Sequence, residues 1–147
     1  MKWESDKINL KASQSLTKDN SGANLWVFLT GLPDPKGPIG WAPIATVCDT
    51  DTDRRNSINA IHGGILGTSM TVAHEVGHNL GMAHDFVKKN NPRYFKGESC
   101  DHKGLMSYGS KPHVWSKCSR NDLMAIYNFY LSYGSDKWCL ESKHFYV

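Results

Sequence analysis

Residues 74–85 read HEVGHNLGMAHD and space three histidines and a carboxylate in a demanding pattern. His74 and His78 are four residues apart, so on a helix both imidazoles project from one face, about one turn from each other. Gly81 allows the chain to leave that helix with a positive φ, which can turn His84 back toward the other two rings. The stretch therefore predicts one metal ion bound by three imidazoles.

Glu75 stands beside the first histidine, where its carboxylate can reach a water molecule without binding the metal. Three neutral imidazoles leave a fourth coordination position open, which is typical of catalytic zinc sites, whereas structural sites are closed by four protein ligands. The pattern fixes five positions, those of His74, Glu75, His78, Gly81 and His84. A chance match to all five has a probability on the order of 0.00001 in a chain of this length. We therefore expect a hydrolytic zinc site with Glu75 as the general base.

The same stretch resembles the metzincin zinc signature. Asp85, directly after the third histidine, is similar to the reprolysin branch, which includes snake-venom, ADAM and ADAMTS-type metalloproteases. Residues 105–108, Leu-Met-Ser-Tyr, stand where metzincins carry their Met-turn, and residues 114–119 resemble the segment before the last reprolysin helix. The resemblance covers most of the chain after about residue 24, strongly between residues 68 and 120 and weakly before that stretch.

The resemblance implies an α+β, zincin-like fold with a small mixed sheet, an active-site helix above the cleft and a helical, irregular C-terminal part. One catalytic domain would span residues 1–147, with residues 1–84 as an upper subdomain that includes the zinc helix. Residues 85–147 would form a lower subdomain with the Met-turn and the last helix. Complete metzincin domains are longer, so we expect this one to be N-terminally shortened, without the opening strand and first long helix.

Further site roles follow from the resemblance alone. Asp85 would be a buried support, with a solvated surface carboxylate as the alternative, and Met106 would form the hydrophobic floor beneath the imidazoles. Tyr108 is a candidate oxyanion stabiliser. Residues 61–65 would supply an edge strand for the substrate, and the loop 109–114 would wall the pocket for the side chain after the scissile bond. The substrate-binding candidates are His62, Gly63, Gly64, Pro112 and Val114.

The four cysteines are dispersed, and none lies in a Cys-x-x-Cys arrangement. An even, dispersed set is typical of two disulfides formed in an oxidising compartment, although free buried thiols would give the same sequence. Four cysteines allow three pairings, and the residues themselves do not choose among them. The resemblance implies the pairs Cys48–Cys139 and Cys100–Cys118. It also makes a calcium ion, held away from the zinc, an additional candidate.

The composition of the chain limits the classes of function that it can have. The chain has 147 residues, 39% of them hydrophobic and 21% charged, and its net charge of +3 is spread without a Lys/Arg cluster. Nothing in this distribution favours nucleic acid or a membrane surface as partner, and no apolar run has the length of a membrane span. The first residues lack the apolar core of a signal peptide. The chain is therefore either cytosolic or part of a longer secreted precursor, and the cysteines favour the second.

Three strands are predicted before the zinc signature. Residues 25–29 are a continuous apolar run, which predicts a strand covered on both faces. Residues 45–47 and 57–61 are shorter strand candidates. The Pro- and Gly-rich residues 31–40 predict an irregular surface loop. The weaker predictions are a strand over residues 7–11, a helix over 13–19 and a loop over 88–105.

Two longer helices are predicted. The zinc helix is expected to begin after a cap at Thr68 or Ser69. The last helix would begin with residues 119–122, Ser-Arg-Asn-Asp, which resemble a capping box, and it would end at Gly134. Apolar side chains recur along this helix at three and four residues and predict a face packed on the core. They are Leu123, Ile126, Tyr127, Tyr130 and Leu131.

We interpret the chain as a secreted, monomeric zinc endopeptidase that cleaves extracellular proteins or peptides through a zinc-activated water. The alternative is a catalytically silent, metalloprotease-like binding or toxin module that occupies an extracellular partner. An intact Glu75 and a complete ligand set count against that alternative, because shape alone requires neither. A structural zinc domain would need a fourth protein ligand, for which Cys100 and His102 are the nearby candidates.

Overall fold

The computed structural model describes residues 11, 24–31, 38–49, 54–85, 104–107, 113–134 and 138–140. The strands in these residues are β1 (Trp26–Thr30), β2 (Gly40–Trp41) and β3 (Asn56–Ala60), and the longer helices are α1 (Gly64–Asn79) and α2 (Lys117–Ser132). The strands form one sheet in the order β1-β3-β2, with β1 parallel and β2 antiparallel to β3. The expected α+β class with a small mixed sheet is confirmed.

The central strand, β3, is buried along its whole length. β1 runs beside it with Trp26 opposite Asn56. β3 is polar for a buried element. Asn59 links it to β1 by donating from Nδ2 to Phe28 O, and it also donates to Ser57 Oγ within β3. Hydrogen bonds of this kind offset the cost of burying amide groups. α1 packs on β3, so this strand supports the helix that carries the zinc signature.

Two of the predicted strands lie within one residue of their expected positions, since residues 25–29 correspond to β1 and residues 57–61 to β3. The expectation that the first strand is covered on both faces is wrong. Val27 and Leu29 are 41% and 57% exposed. Side chains alternate between the two faces of a strand, and in β1 only one of these faces is turned toward the core.

Residues 45–47 do not form the predicted strand. Their backbone N–H groups donate to the last carbonyls of α1, those of His78 and Asn79, over 2.9–3.1 Å. The last carbonyls of a helix have no partner within it, so the segment caps α1 and its N–H groups are not available to a sheet. The third strand is instead β2, at the end of the predicted loop 31–40. Residues 32–37 of that loop lie outside the described residues.

The zinc helix begins earlier than predicted, with Gly63 in the left-handed conformation (φ 59°) as its N-cap. The expected cap at Thr68 or Ser69 is wrong. The hydroxyl of Thr68 lies one turn inside the helix, where it accepts from His62 N and donates to His62 O. The predicted edge strand over residues 61–65 is also wrong, because this segment is the turn into α1 and its first residues.

The N-cap of α2 is Ser116, whose hydroxyl accepts a hydrogen bond from Ser119 N at 2.9 Å. The capping box expected at residues 119–122 is wrong, because Asp122 is buried in the second turn of the helix. The chain leaves α2 near Gly134 (φ 127°), as predicted. The predicted apolar stripe is half-buried throughout: Leu123, Ile126, Tyr127, Tyr130 and Leu131.

A disulfide joins Cys48 to Cys139, 91 residues apart in sequence. It ties the segment after α2 to the loop that caps α1. Cys118 is also disulfide-bonded, and its predicted partner, Cys100, lies outside the described residues. The other predictions that fall wholly or mostly outside them are the strand over residues 7–11, the helix over 13–19 and the loop over 88–105.

Candidate metal centre

The turn after α1 brings the third predicted ligand back to the first two. Gly81 has a φ of 95°, and its N–H donates to His78 O at 2.8 Å. A Cβ atom at Gly81 would overlap Ile126, so α2 packs directly against this turn. As a result His84 Nε2 lies 3.1 Å from His74 Nε2 and 3.2 Å from His78 Nε2. The sequence spacing and the fold therefore bring the three imidazoles together.

These three nitrogens fit a zinc ion. Two nitrogens bound tetrahedrally to one zinc, at Zn–N distances of about 2.0–2.1 Å, stand about 3.3 Å apart. The two separations measured from His84 are 3.1 and 3.2 Å. One ligand atom from each histidine lies within 4.8 Å of the others. The cluster is therefore compact enough for one ion to contact all three rings.

A backbone carbonyl orients each of the two helix histidines. His74 Nδ1 lies 2.8 Å from Leu105 O, and His78 Nδ1 lies 2.8 Å from Met82 O. Because a carbonyl only accepts, each Nδ1 carries the proton and each Nε2 keeps its lone pair for a metal. Burial lowers the pKa of all three rings, that of His78 to about 4. The neutral form that a metal requires is therefore favoured.

Glu75 is 6% exposed on the same helix. Burial raises the pKa of its carboxyl to about 8, and no described group hydrogen-bonds to its Oε2 atom. A buried carboxyl without compensation, on the helix that carries two of the three imidazoles, is an environment in which a general base has a pKa near neutrality. β2 borders this side chain, because a Cβ atom on Gly40 would overlap the Glu75 carboxyl.

The strand beside Glu75 is thus β2 and not residues 61–65. Gly63 is the N-cap of α1 and Gly64 is its first residue. The half-buried ring of His62 places Nε2 2.7 Å from Thr71 Oγ1 on α1. These three predicted substrate-binding residues therefore belong to the entry into the helix, and their expected role in an edge strand is corrected by the structure.

Residues 104–107 lie against α1 at the level of the histidines. Leu105 presents its carbonyl to His74, and its N–H donates to the carbonyl of the exposed Val114 at 2.8 Å. Met106 is fully buried, and a Cβ atom at Gly77 would stand 2.6 Å from its Sδ. Met106 therefore packs on the helix between the two ligands. The remaining site predictions in this region, Tyr108 and Pro112, lie outside the described residues.

Asp85 is 4% exposed, so it is not a solvated surface carboxylate. Its Oδ1 atom accepts from Ser116 Oγ at 2.6 Å and from Ser119 Oγ at 3.3 Å. Its N–H donates to Met106 O at 3.0 Å. The residue after the third ligand is therefore tied to the start of α2 and to residues 104–107, and it has the geometry of a buried support.

Sequence reasoning missed Asp122. It is 5% exposed, and its Oδ2 accepts from Ala83 N at 2.9 Å, one residue before the third ligand. Burial raises the pKa of this carboxyl to about 6, and the charge of Asp85 also raises it. Its spacing could have indicated a buried position. Asp122 lies four residues before Ile126 of the predicted apolar stripe, and residues at that spacing share one face of a helix.

Comparison with known proteins finds similar sequences over much of the chain. Residues 2–85 match the family model described as Metallo-peptidase family M12B Reprolysin-like. Human "A disintegrin and metalloproteinase with thrombospondin motifs 10" is 31% identical over 137 residues, which are 82% of this chain and 11% of that protein.

Two further relatives match shorter stretches. Human "A disintegrin and metalloproteinase with thrombospondin motifs 6" is 38% identical over 96 residues, covering 59% of this chain and 7% of that protein. "Zinc metalloproteinase-disintegrin-like brevilysin H2a" of Gloydius brevicauda is 34% identical over 96 residues, covering 65% of this chain and 22% of the relative. The chain thus spans between 7% and 22% of the length of these three proteins.

Proposed function

Because the chain belongs to the M12B reprolysin-like metallopeptidase family, whose model matches residues 2–85, we propose that it is a secreted zinc endopeptidase with Glu75 as general base. At the family level it is a zinc-dependent metalloprotease. The observation that carries the finer proposal is the convergence of His74, His78 and His84. Glu75 lies on the same helix as the first two, and its buried Oε2 atom has no partner among the described groups.

The proposed mechanism assigns the proton transfers to Glu75. A zinc ion held by the three imidazoles supplies Lewis-acid activation of a water molecule and of the scissile carbonyl. Glu75 takes the proton of the attacking water and returns it to the departing amine. The raised pKa of Glu75 supports this role, because a carboxyl that titrates near neutrality can both accept and release a proton.

Extended peptides are the proposed substrates. Among the described strands β2 is an edge strand, with β3 as its only neighbour, and Gly40 places it against Glu75. A free strand edge can bind an extended peptide by adding it to the sheet. We propose that the cleft lies between residues 1–84 and residues 85–147. The roles of Tyr108 and of the loop 109–114 remain predictions.

An extracellular location is supported by the cysteines. Cys48 and Cys139 form a disulfide, and Cys118 is disulfide-bonded. Structural disulfides of this kind persist in oxidising compartments. In the parts of the chain that the structure describes, neither helix is long and apolar enough to cross a membrane. A monomeric state and a separate calcium ion remain predictions.

Digestion of a peptide library tests the proposal. We expect cleavage by the wild type that a zinc chelator abolishes and added zinc restores. The Glu75→Gln variant should retain zinc and lose about 10²–10⁴-fold in turnover, the usual contribution of a general base. An equally active variant would show that Glu75 is not the base. Zinc binding without cleavage by the wild type would favour the silent binding module.

A further inference from the structure

One peptide group connects His78 to a carboxylate on the neighbouring helix. The Nδ1–H of His78 donates to the carbonyl of Met82 at 2.8 Å. The N–H of the same peptide group, that of Ala83, donates to Asp122 Oδ2 at 2.9 Å. An imidazole on α1 and a carboxylate on α2 therefore lie at the two ends of one chain of hydrogen bonds.

We propose that Asp122 is a positioning residue for the metal site, acting on His78 through the Met82–Ala83 peptide group. The proposal rests on the proposed function, since it takes His74, His78 and His84 as zinc ligands. A carboxylate on the N–H side of a peptide polarises it and increases the negative charge on the carbonyl oxygen. The carbonyl then accepts the Nδ1–H more strongly, which fixes the ring and makes Nε2 a better ligand.

Burial strengthens this coupling. His78, Met82 and Asp122 are 7%, 2% and 5% exposed. Water therefore screens the interaction of the carboxylate with the peptide dipole only weakly. Burial raises the pKa of Asp122 to about 6, so at pH 7.5 the side chain is mainly ionised.

Helix stability alone does not account for an acid at this position. Ser116 already caps α2, so Asp122 is not required as a capping residue. Burying a carboxylate costs free energy, and the negative charge of Asp85 adds to the cost. An uncharged side chain of the same shape would satisfy Ala83 N–H without that cost. The proposal therefore predicts that the charge itself matters to the site.

The test uses the full chain and zinc alone at pH 7.5. Asp122→Asn removes the charge and keeps an oxygen that can accept from Ala83 N–H, whereas Asp122→Ala removes the bond as well. Tyr130→Phe is the matched control, because it removes a different polar contact of α2, the one to Ala45 O. Zinc affinity is measured by competition with a chromophoric chelator, and the Nδ1–H resonances of His78 and His74 are recorded in the zinc-loaded protein.

We expect the zinc dissociation constant to rise about 10–100-fold in Asp122→Ala, the usual loss when a partner of a metal ligand is removed. In Asp122→Asn, which keeps the hydrogen bond and loses the charge, we expect a smaller rise of about three- to tenfold. The His78 Nδ1–H resonance should move upfield in Asp122→Asn, with His74 as the internal reference. Tyr130→Phe should leave both readouts unchanged.

Two results would overturn the proposal while leaving the proposed function intact. One is wild-type zinc affinity in Asp122→Asn. The other is a loss of zinc affinity together with Nδ1–H resonances of His78 and His74 that shift equally or do not shift. Asp122 would then affect zinc binding only through the packing of the whole site, and not through His78. A wild-type chain that binds no zinc would remove the proposed function and this inference together.

Discussion

Gly40 in β2 lies directly against the carboxyl group of Glu75 in α1. A Cβ atom on Gly40 would stand 2.7 Å from Glu75 Cγ and 2.8 Å from Glu75 Cδ, and it would overlap Oε1. Glu75 is 6% exposed, so protein covers its carboxyl on nearly all sides. The absence of a side chain at position 40 therefore allows β2 to lie against the carboxyl of the proposed base.

Gly40→Ala should lower turnover strongly while the protein keeps its zinc. The added methyl group must displace the Glu75 carboxyl, and a misplacement of about 1 Å can cost on the order of 100-fold in rate. Peptide cleavage and zinc content are measured together. Gly31→Ala is the control, because a Cβ atom there meets nothing within 4 Å. Unchanged turnover in Gly40→Ala would mean that the position of Glu75 is not limiting.

Gly77→Ala should destabilise the protein even though alanine favours helices. Glycine inside a helix costs about 1 kcal/mol relative to alanine, but a Cβ atom here would stand 2.6 Å from Met106 Sδ and 3.0 Å from the Trp115 ring. Overpacking of this kind costs roughly 1–3 kcal/mol. We expect a lower free energy of unfolding in chemical denaturation.

A double-mutant cycle separates this packing effect from a backbone effect. The cost of Gly77→Ala should be smaller in a Met106→Ala background, because the truncated side chain no longer occupies the space. If the cost is the same in both backgrounds, the contact with Met106 is not its cause.

The parts of the site that could be predicted are those encoded by short spacing. The positions of His74, His78 and His84, and the positive φ of Gly81, follow from one stretch of twelve residues, 74–85. β1 and β3 were also predictable, because runs of strand-forming residues mark such elements locally. Their ends differed by one residue, which is the usual uncertainty at the ends of elements.

The remaining parts depend on contacts between distant segments. β2 has only two residues, Gly40 and Trp41, so it carries no periodic pattern. It is a strand because it pairs with β3. Residues 45–47 look like a strand but cap α1, and this depends on where the chain places the end of that helix. Asp122 and Ala83 are 39 residues apart. Contacts between such distant residues cannot be recognised from local propensity or from the spacing of residues in the sequence.

Ala45→Gly should stabilise the protein by about 1 kcal/mol. Ala45 has a φ of 60°, a left-handed conformation that costs a residue with a Cβ atom roughly 1–2 kcal/mol. Glycine removes this strain, and the greater entropy of its unfolded chain offsets only part of the gain. Ala125→Gly within α2 is the control and should have the opposite sign. Chemical denaturation measures both, and a less stable Ala45→Gly variant would contradict the argument.

Asp122→Asn should stabilise the metal-free protein at neutral pH while it weakens zinc binding. The pKa of this carboxyl rises from 3.8 to about 6 on folding, mainly through burial. Between these values the folded chain binds more protons at Asp122 than the unfolded chain, so this residue lowers the free energy of unfolding as pH rises. Asparagine does not titrate. The advantage of the variant should therefore grow from about pH 4 to 6 and then level off, at roughly 1–3 kcal/mol.

Denaturation of both chains at pH 4.5 and 7.5, in the presence of a chelator, measures this difference. Saturating zinc should reduce or reverse it at pH 7.5, because a ligand stabilises the folded state in proportion to the logarithm of its affinity, and the variant binds zinc more weakly. A metal-free variant that is less stable than the wild type at both pH values would contradict this expectation. The hydrogen bond from Ala83 N–H to the Asp122 carboxylate would then stabilise the fold by more than the burial of the charge destabilises it. Asp122 would then stabilise the metal-free fold, and it would not lower stability in order to strengthen zinc binding.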